Sequence, residues 1–249
     1  MLKPIKSLGQ NFLKDPALVS KIISYLDLHD HETVIEIGPG LGVFTKELAK
    51  HNVNVIAVEV DIRLVQELEK DFSENSRVEI VNENVLHFLP AYVLDGFKVF
   101  GSLPYNITSP VLHAVVKMEV RPENCVFIIQ KEVAQKVVSK SPDNNYLSVF
   151  VQTFFEAMYL GSIPREKFSP VPKVDGGIIR LRRKEIDLSL EETEQYEKFL
   201  HKGFKFPRKM INKVFSKEEL KLCGVSPNLR AENLSVEKWM EMFRVLESR

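Results

Sequence analysis

Up to residue 139, the hydrophobic residues of the chain follow two alternating patterns. Short runs rich in Val and Ile predict strands buried on both faces, and apolar residues three or four positions apart predict helices. The predicted strands are 33–37, 53–59, 77–81, 97–101 and 124–130, and the predicted helices are 42–50, 61–72, 109–118 and 132–139. Such alternation predicts an α/β fold, a parallel sheet with helices on both faces and ligands at the carboxyl ends of its strands.

Further segments complete this organisation. A helix with one apolar face begins at Asp15-Pro16, where Pro suits the first helical turn, and precedes the first of these strands. Residues 147–163 and 174–182 are predicted to close the sheet. The rest of the chain is charged and helical in pattern, without strand signals. We therefore predict two domains, residues 1–184 and residues 185–249.

The turn after the first predicted strand, Gly38-Pro39-Gly40, is a candidate ligand site. Glycine lets the backbone turn sharply and lets a ligand lie against bare main chain at the start of the following helix. One acid, Glu36, lies near the end of that strand, and a second, Glu59, ends the next strand about 20 residues after Gly38. Glu59 is thus placed to bind the two hydroxyls of a ribose.

Two nucleotide-like ligands are compatible with this turn. The dinucleotide fingerprint requires a glycine three residues after the second one, where this chain has Val43. The order from Glu36 to Gly42, E-x-G-x-G-x-G, is the one used for S-adenosylmethionine, with the acid facing the methionyl part. The pattern therefore favours S-adenosylmethionine over a nicotinamide dinucleotide.

Composition narrows the possible classes of protein. No apolar run approaches the roughly 18 residues of a membrane-spanning helix, and the N-terminus resembles neither a secretory nor a transit signal. Cys125 and Cys223 have no partner pattern and are typical of reduced thiols, so we predict a cytoplasmic protein with no membrane partner. The six His residues lack metal-ligand spacing, and we predict no metal.

The net charge of zero conceals an uneven distribution. Residues 165–249 carry 19 Lys or Arg and 14 Asp or Glu, a net charge of +5, and the preceding residues carry the balancing −5. Residues 198–217, hereafter the basic segment, contain seven Lys or Arg and no acid. We interpret six of these as RNA contacts: Lys198, Lys202, Lys205, Arg208, Lys209 and Lys213. The spacing of residues 198, 202, 205, 209 and 213 predicts one helical face, interrupted by Pro207. Four phenylalanines are predicted to pack underneath: Phe199, Phe204, Phe206 and Phe215.

A second candidate site follows the predicted strand 97–101. Pro104 restricts its own backbone and that of Leu103 to extended conformations, which presents Tyr105 at the rim of the ligand crevice. A flat ring there suits stacking on a base that has been turned out of its helix. The alternative is an ordinary core tyrosine in a proline turn.

Six ordered motifs together resemble one family. They are KSLGQNFL (6–13), EIGPGLGVFT (36–45), AVEVD (57–61), SLPYNITSP (102–110), FSPVPKVDGG (168–177) and NLRAENLS (228–235). In order and spacing they are similar to the small-subunit ribosomal RNA adenine dimethyltransferases. The resemblance implies a Rossmann-like catalytic domain with S-adenosylmethionine as methyl donor, followed by a small helical RNA-binding domain. The implied substrate is 16S ribosomal RNA in the small ribosomal subunit, with two adjacent adenosines near the 3′ end each methylated twice. We expect a monomer.

The resemblance also implies roles for single residues. The implied cofactor contacts are Gln10, Asn11, Leu13, Glu36, Gly38, Gly40, Glu59, Asn84, Val85 and Ser102. Tyr105 and Phe168 would hold the target base between them. Ser102 and the Leu103 carbonyl would accept hydrogen bonds from its exocyclic amine, which favours a pyramidal nitrogen with its lone pair aimed at the methyl group. Positioning and electrostatics then suffice without a strong base.

Three positions depart from the family pattern. Ser102 stands where the family has Asn, and its shorter side chain puts the catalytic rate in question. Asn84 replaces Asp, which leaves a weaker, uncharged acceptor for adenine. Pro207 stands where Arg is usual, which weakens the basic segment.

Three alternative functions stay open at this point. A related methyltransferase of large-subunit RNA has the same fold, although the LRAENLS motif and the long helical C-terminus favour the small-subunit type. A non-catalytic RNA-binding assembly factor could have lost turnover through Ser102. A nicotinamide-dependent dehydrogenase lacks the glycine at position 43 and a proton-transfer motif.

Overall fold

The computed structural model of the protein describes residues 11–247. Its strands are β1 (Phe12–Leu13), β2 (Thr33–Ile37), β3 (Asn54–Glu59), β4 (Val78–Asn82), β5 (Phe97–Ser102), β6 (Asn124–Gln130), β7 (Phe155–Ile163), β8 (Phe168–Ser169) and β9 (Gly176–Arg183). Its α-helices are α1 (Pro16–Ser24), α2 (Val43–Leu48), α3 (Ile62–Asp71), α4 (Val85–Ala91), α5 (Thr108–Val116), α6 (Lys131–Val137), α7 (Tyr146–Phe154), α8 (Leu190–Gly203), α9 (Lys217–Leu222) and α10 (Val236–Glu247).

Seven strands form one sheet in the order β4-β3-β2-β5-β6-β9-β7. The five strands from β4 to β6 pair in parallel, and β9 runs antiparallel to β6. The register aligns Ile37 of β2 with Val58 of β3 and with Gly101 of β5, so these strands end at the same edge. The predicted α/β fold is confirmed. Glu59 ends β3 and Ser102 ends β5, the two strands on either side of β2.

The first helix begins as its sequence predicts. Asp15 has an extended backbone, and its side chain accepts a hydrogen bond from the N–H of Leu18 at 3.2 Å, with Pro16 in the first turn. Such a cap satisfies one of the amide groups that a helix start leaves without a partner. The apolar face of α1 is buried, with Ile22 and Ile23 fully inaccessible to solvent.

The segment predicted to close the sheet at 147–163 is half helix. Residues up to Phe154 form α7, and β7 follows directly. Asn145 caps the helix, because its side chain accepts the N–H of Ser148 at 3.0 Å and the hydroxyl of Ser148 accepts the N–H of Asn145 at 2.9 Å. Every residue from 148 to 154 is buried, so the hydrophobic pattern carries no period from which helix could be told from strand.

The described residues form two compact units. The first contains the chain up to Ala134 together with Met158–Arg183, and the second contains Gln135–Ala157 together with the chain from Lys184 onward. Residues 135–157 thus belong to the second unit, in which α7 packs against α8 and α10. The domain boundary predicted from the sequence instead places residues 135–157 in the first domain. The functional division at residue 184 stays a prediction.

Candidate active site

A cavity of about 260 Å³ lies at the carboxyl ends of β2, β3 and β5. The residues that line it are Asn11, Phe12, Leu13, Ile37, Gly38, Pro39, Gly40, Leu41, Val43, Phe44, Val58, Glu59, Val60, Glu83, Asn84, Val85, Ser102, Pro104, Asn106 and Ile107. They include all predicted cofactor contacts except two. Gln10 lies outside the described residues, and Glu36 is buried without lining the cavity.

The glycine turn forms one wall of this cavity. Gly38 and Gly40 have φ angles of 65° and 60°, which residues with a side chain rarely adopt. A Cβ atom on Gly40 would lie 2.7 Å from a ring carbon of Phe12, so a larger residue does not fit there. A Cβ atom on Gly38 would meet no atom within 4 Å. The space beside Gly38 is therefore available to a ligand that approaches the backbone.

The carboxylate of Glu59 is held by three backbone amides. Its Oε2 accepts the N–H of Gly40 at 3.2 Å, and its Oε1 accepts the N–H groups of Val60 and Asp61 at 2.9 and 3.0 Å. Burial raises the pKa of Glu59, and these three hydrogen bonds oppose the rise. A carboxylate has about four acceptor positions, so roughly one is left for a ligand.

Glu36 and Thr45 are buried polar residues on either side of the glycine turn in sequence. Among the described residues, neither Oε2 of Glu36 nor the hydroxyl of Thr45 has a partner within bonding geometry. Burial raises the pKa of Glu36 to about 8. The nearby Thr45 hydroxyl opposes this rise, and repulsion from the Glu59 carboxylate adds to it. Glu36 is therefore mostly protonated at neutral pH. Its predicted contact with a ligand stays a prediction.

Asn84 and Val85 occupy the start of α4, a helix absent from the predicted elements. The Oδ1 atom of Asn84 accepts the N–H of Leu86 at 3.0 Å and so caps the helix. An amide oxygen has two lone pairs, so one acceptor position of Asn84 is still available beside the cavity. Val85 is buried and contributes apolar surface.

A two-residue ladder contributes two further lining residues, Phe12 and Leu13, to this cavity. Phe12 and Leu13 of β1 pair antiparallel with Ser169 and Phe168 of β8, in that order. The N–H of Lys14 also donates to the carbonyl of Lys167 at 3.1 Å, in line with the ladder. The motif residues near position 12 and those near position 168 are therefore neighbours in space.

A second, smaller cavity of about 20 Å³ adjoins the first. It is lined by Asn11, Ser102, Leu103, Pro104, Tyr105, Ile128, Ile129, Phe168, Pro172 and Gly176. All four residues predicted to meet a target base are present. The Phe168 ring is buried, whereas Tyr105 is 37% exposed and donates its hydroxyl to the carbonyl of Val174 at 3.3 Å.

Three residues belong to both cavities, namely Asn11, Ser102 and Pro104. Ser102 ends β5 and is half-buried at the boundary. The next residue, Leu103, donates its N–H to the carbonyl of Ile128 at 2.9 Å, which fixes the backbone at this point. A group transferred between ligands in the two cavities would pass beside Ser102.

Comparison with known proteins agrees with this geometry. The family model described as ribosomal RNA adenine dimethylase matches residues 1–248. The chain belongs to this family.

Two curated relatives support the assignment to the dimethylase family. Ribosomal RNA small subunit methyltransferase A of Sulfurihydrogenibium sp. is 36% identical, and the match covers 99% of this chain and 98% of the relative. The protein of the same name from Persephonella marina is 35% identical, and the match covers 97% of this chain and 93% of the relative.

Two solved structures share the fold of this dimethylase. The 23S rRNA methyltransferase ErmE superposes with a TM-score of 0.75 at 29% identity, and the match covers 95% of this chain and 99% of ErmE. A dimethyladenosine transferase from Plasmodium falciparum gives a TM-score of 0.76 at 22% identity, with 92% of this chain and 95% of the other covered. Membership of the family excludes the dehydrogenase alternative.

Residues 11–247 contain neither a candidate membrane span nor a candidate metal cluster. None of the helices in this range combines the length and apolar character that a membrane crossing needs. Nor do three or more His, Cys, Asp or Glu side chains in the range cluster as metal ligands would.

Several residues of the dimethylase site were not predicted from the sequence. Phe12 contacts the glycine turn. Leu41 and Val60, which line the large cavity, are 39% and 56% exposed. Phe12 stands between two predicted contacts, and Val60 follows Glu59 directly. Position next to a predicted residue was the signal that could have found them.

The basic segment does not form one helical face. The helix α8 ends at Gly203, where a Cβ atom would lie 2.3 Å from the Trp239 ring, so the helix end packs directly on that ring. Only Lys198 and Lys202 of the six predicted contacts are therefore on α8. All six side chains are exposed. Their contact with RNA stays a prediction.

Replacing Glu36 by Gln should change how stability depends on pH. The unfolded chain ionises Glu36 near pH 4.5, whereas the folded protein keeps it protonated up to about pH 8. The folded state thus binds the extra proton, and the free energy of unfolding of the wild type falls relative to Glu36→Gln as pH rises from about 5 to 8. The difference in the free energy of unfolding between the wild type and Glu36→Gln should change by up to about 1.4 kcal/mol per pH unit and level off above pH 8.

Urea denaturation at pH 5, 6.5, 8 and 9 measures this effect. Glu79→Gln, on the exposed side of β4, is the matched control and should follow the wild type at every pH. Parallel curves for the wild type and Glu36→Gln would contradict the buried, protonated state of Glu36.

Proposed function

We propose that the protein transfers methyl groups from S-adenosylmethionine to the exocyclic amines of two adjacent adenosines near the 3′ end of 16S ribosomal RNA, two to each base. The observation that carries this proposal is the pair of adjoining cavities. The large one has the glycine turn and Glu59, the small one has Tyr105 and Phe168, and Ser102 belongs to both. This is the arrangement that a transfer between a nucleoside cofactor and an extruded base needs.

The large cavity fits S-adenosylmethionine. Glu59 keeps an acceptor position for a ribose hydroxyl, and Gly38 leaves its backbone accessible to the methionyl part. The Asn84 oxygen accepts a hydrogen bond from the adenine amine, beside the exposed apolar surface of Leu41 and Val60. When bound, S-adenosylmethionine supplies an electrophilic methyl group.

The small cavity opens to receive the target base. Its volume of about 20 Å³ accommodates roughly one water molecule, far less than a purine. Phe168 is buried and backed by Gly176, whose Cβ position lies 3.3 Å from the ring. Tyr105 is exposed and held by one hydrogen bond to Val174. Tyr105 therefore moves, and the base stacks between the two rings.

The chain promotes transfer by orienting the amine. The carbonyl of Leu103 accepts a hydrogen bond from the amine, which favours a lone pair localised on nitrogen. The hydroxyl of Ser102 falls short of the second acceptor position, which the Asn of the family pattern would fill. A bound S-adenosylmethionine would supply the methyl group to this nitrogen, and each transfer would release one proton from the amine to solvent. Contacts that strengthen as charge develops lower the barrier most.

The choice of ribosomal subunit rests on the relatives. The curated relatives at 35–36% identity are named as small-subunit methyltransferases, whereas the solved 23S enzyme is 29% identical. In this function the helical domain 185–249 contacts RNA phosphates through the basic segment. The protein acts as a monomer in the cytoplasm, where small subunits are assembled, and needs no metal.

Methylation of ribosomal subunits tests the function directly. The protein is incubated with labelled S-adenosylmethionine and small subunits that lack these methyl groups, and the modified bases are mapped. We expect up to four methyl groups on two adjacent adenosines near the 3′ end of 16S RNA. Modification of large-subunit RNA instead would overturn the proposal.

Replacing Glu59 by Gln should weaken S-adenosylmethionine binding by about 1.5–3 kcal/mol, because a charged acceptor is lost. Calorimetry measures the affinity, and Glu79→Gln on the exposed side of β4 is the control that should bind as the wild type does. A thermal melt shows whether loss of the bond to Gly40 also unfolds the protein. Unchanged affinity in Glu59→Gln would remove this residue from the site.

Substitution of Ser102 separates a slow enzyme from an inactive one. We expect the serine hydroxyl to fall short of the amine, so Ser102→Ala should leave kcat unchanged and Ser102→Asn should raise it, by ~10²-fold. Since Ser102 lines both cavities, single-turnover rates and S-adenosylmethionine affinity are measured separately.

The same measurement identifies the alternatives. A lower rate in Ser102→Ala with unchanged cofactor affinity would show that the hydroxyl does reach the amine. No methylation by the wild type or by Ser102→Asn, on subunits that a related enzyme modifies, would indicate a non-catalytic assembly factor.

A further inference from the structure

Residues 204–210 form a loop that is anchored at both ends. At its start, the Phe204 ring packs against Trp239, with ring centroids 5.1 Å apart. Just beyond its end, buried Ile211 donates its N–H to the carbonyl of Leu229 at 2.7 Å. Every residue between these anchors is exposed. The anchors therefore determine where the exposed side chains project.

Phe206 differs from the other phenylalanines of the basic segment. It was predicted to pack underneath the cations, but it is 46% exposed, whereas Phe199 and Phe215 are buried. The reason is that α8 has already ended, so the helical spacing on which the prediction rested no longer applies at Phe206. The Phe206 carbonyl accepts the N–H of Lys209 at 2.9 Å, which places the ring in a turn.

Three cations of the loop, Lys205, Arg208 and Lys209, have no acidic partner in the part of the chain that the structure describes. The ammonium of Lys205 lies 5.5 Å from the centre of the Phe206 ring. Elsewhere on the basic segment, Lys202 pairs with Glu219 at 3.8 Å and His201 lies 4.0 Å from Glu197. The loop thus combines an exposed aromatic face with three uncompensated positive charges.

We propose that this loop binds an unpaired stretch of RNA, with the Phe206 ring stacked on a base and Lys205, Arg208 and Lys209 on the flanking phosphates. The inference rests on the proposed function and adds to it a contact that is not electrostatic. An aromatic platform beside cations is the combination by which proteins hold single-stranded nucleic acid, because every base has a stacking face. Bases inside a helix are stacked already, so the ligand is an unpaired segment.

The charge of the loop favours RNA over a protein partner. Protein interfaces are depleted of Lys at their centres, whereas this exposed loop carries three cations and one exposed aromatic ring, with the Lys205 ammonium 5.5 Å from the ring centre. A phosphate backbone compensates all three at once. A protein contact is kept as an outcome of the experiment.

Binding as a function of salt concentration separates stacking from phosphate contacts. The full-length wild type, Phe206→Ala, Phe206→Trp and Lys209→Ala are titrated with protein-free 16S RNA and with undermethylated small subunits, without S-adenosylmethionine, at several KCl concentrations. We expect Phe206→Ala to weaken binding by roughly 5- to 100-fold at every salt concentration. The slope of log binding constant against log KCl concentration should be unchanged. Lys209→Ala should reduce the slope by about 0.7.

Two controls accompany these variants. Leu222→Ala removes another apolar side chain of similar exposure, 50%, from α9 in the same unit, and it should bind as the wild type does. Phe206→Trp keeps a stacking face and should retain or tighten binding. Since Phe206 is exposed, its variants should melt at the wild-type temperature.

Each contrary result has a distinct meaning. Wild-type affinity in Phe206→Ala would overturn the stacking contact. A loss with intact subunits but not with protein-free RNA would overturn it in favour of a ribosomal protein. Equal losses in Phe206→Ala and Leu222→Ala would also overturn it, as a general effect of apolar surface. If the wild type itself fails to bind either RNA, the proposed function fails rather than this contact alone.

Discussion

The ligand edge of the sheet depends on the carboxylate of Glu59. This side chain holds the N–H of Gly40 from the glycine turn and the N–H groups of Val60 and Asp61 from the start of the α3 connection. Burying a carboxylate costs free energy, which is why its pKa is raised, and the three amides offset part of that cost. The shape of the large cavity therefore follows from one satisfied, buried acid. The three amides fill three of the roughly four acceptor positions of the carboxylate, and the remaining one is available to a ligand.

Local sequence was sufficient for the parts of the fold with a distinct pattern. Buried β-branched runs at 33–37 and 53–59 became β2 and β3 with matching ends, and Asp15-Pro16 started α1. The helix α7 was not separable from a strand, because burial on every side removes the period on which such a prediction depends. The short helix α4 went unpredicted although Asn84, its cap, had been identified as a ligand contact.

In the two cavities, too, local features were predictable from sequence and contacts between distant segments were not. Motif residues such as Gly38 and Tyr105 were predicted because their chemistry is local, in a turn or beside a proline. That Asn11, Ser102 and Pro104 are shared by two cavities depends on pairing between distant segments, which no local pattern records. The exposed ring of Phe206 was mispredicted for a related reason, since the packing of Gly203 on Trp239 decides where the helix ends.

The ladder between β1 and β8 has an evolutionary consequence. Leu13, in the wall of the large cavity, is paired through backbone hydrogen bonds with Phe168, in the wall of the small one. Backbone pairing tolerates changes of side chain but fixes the spacing between the paired residues. An insertion or deletion on either strand would displace both walls together. A change in the base or in the cofactor that is bound is therefore accommodated more readily by new side chains on an unaltered ladder than by a change in its length.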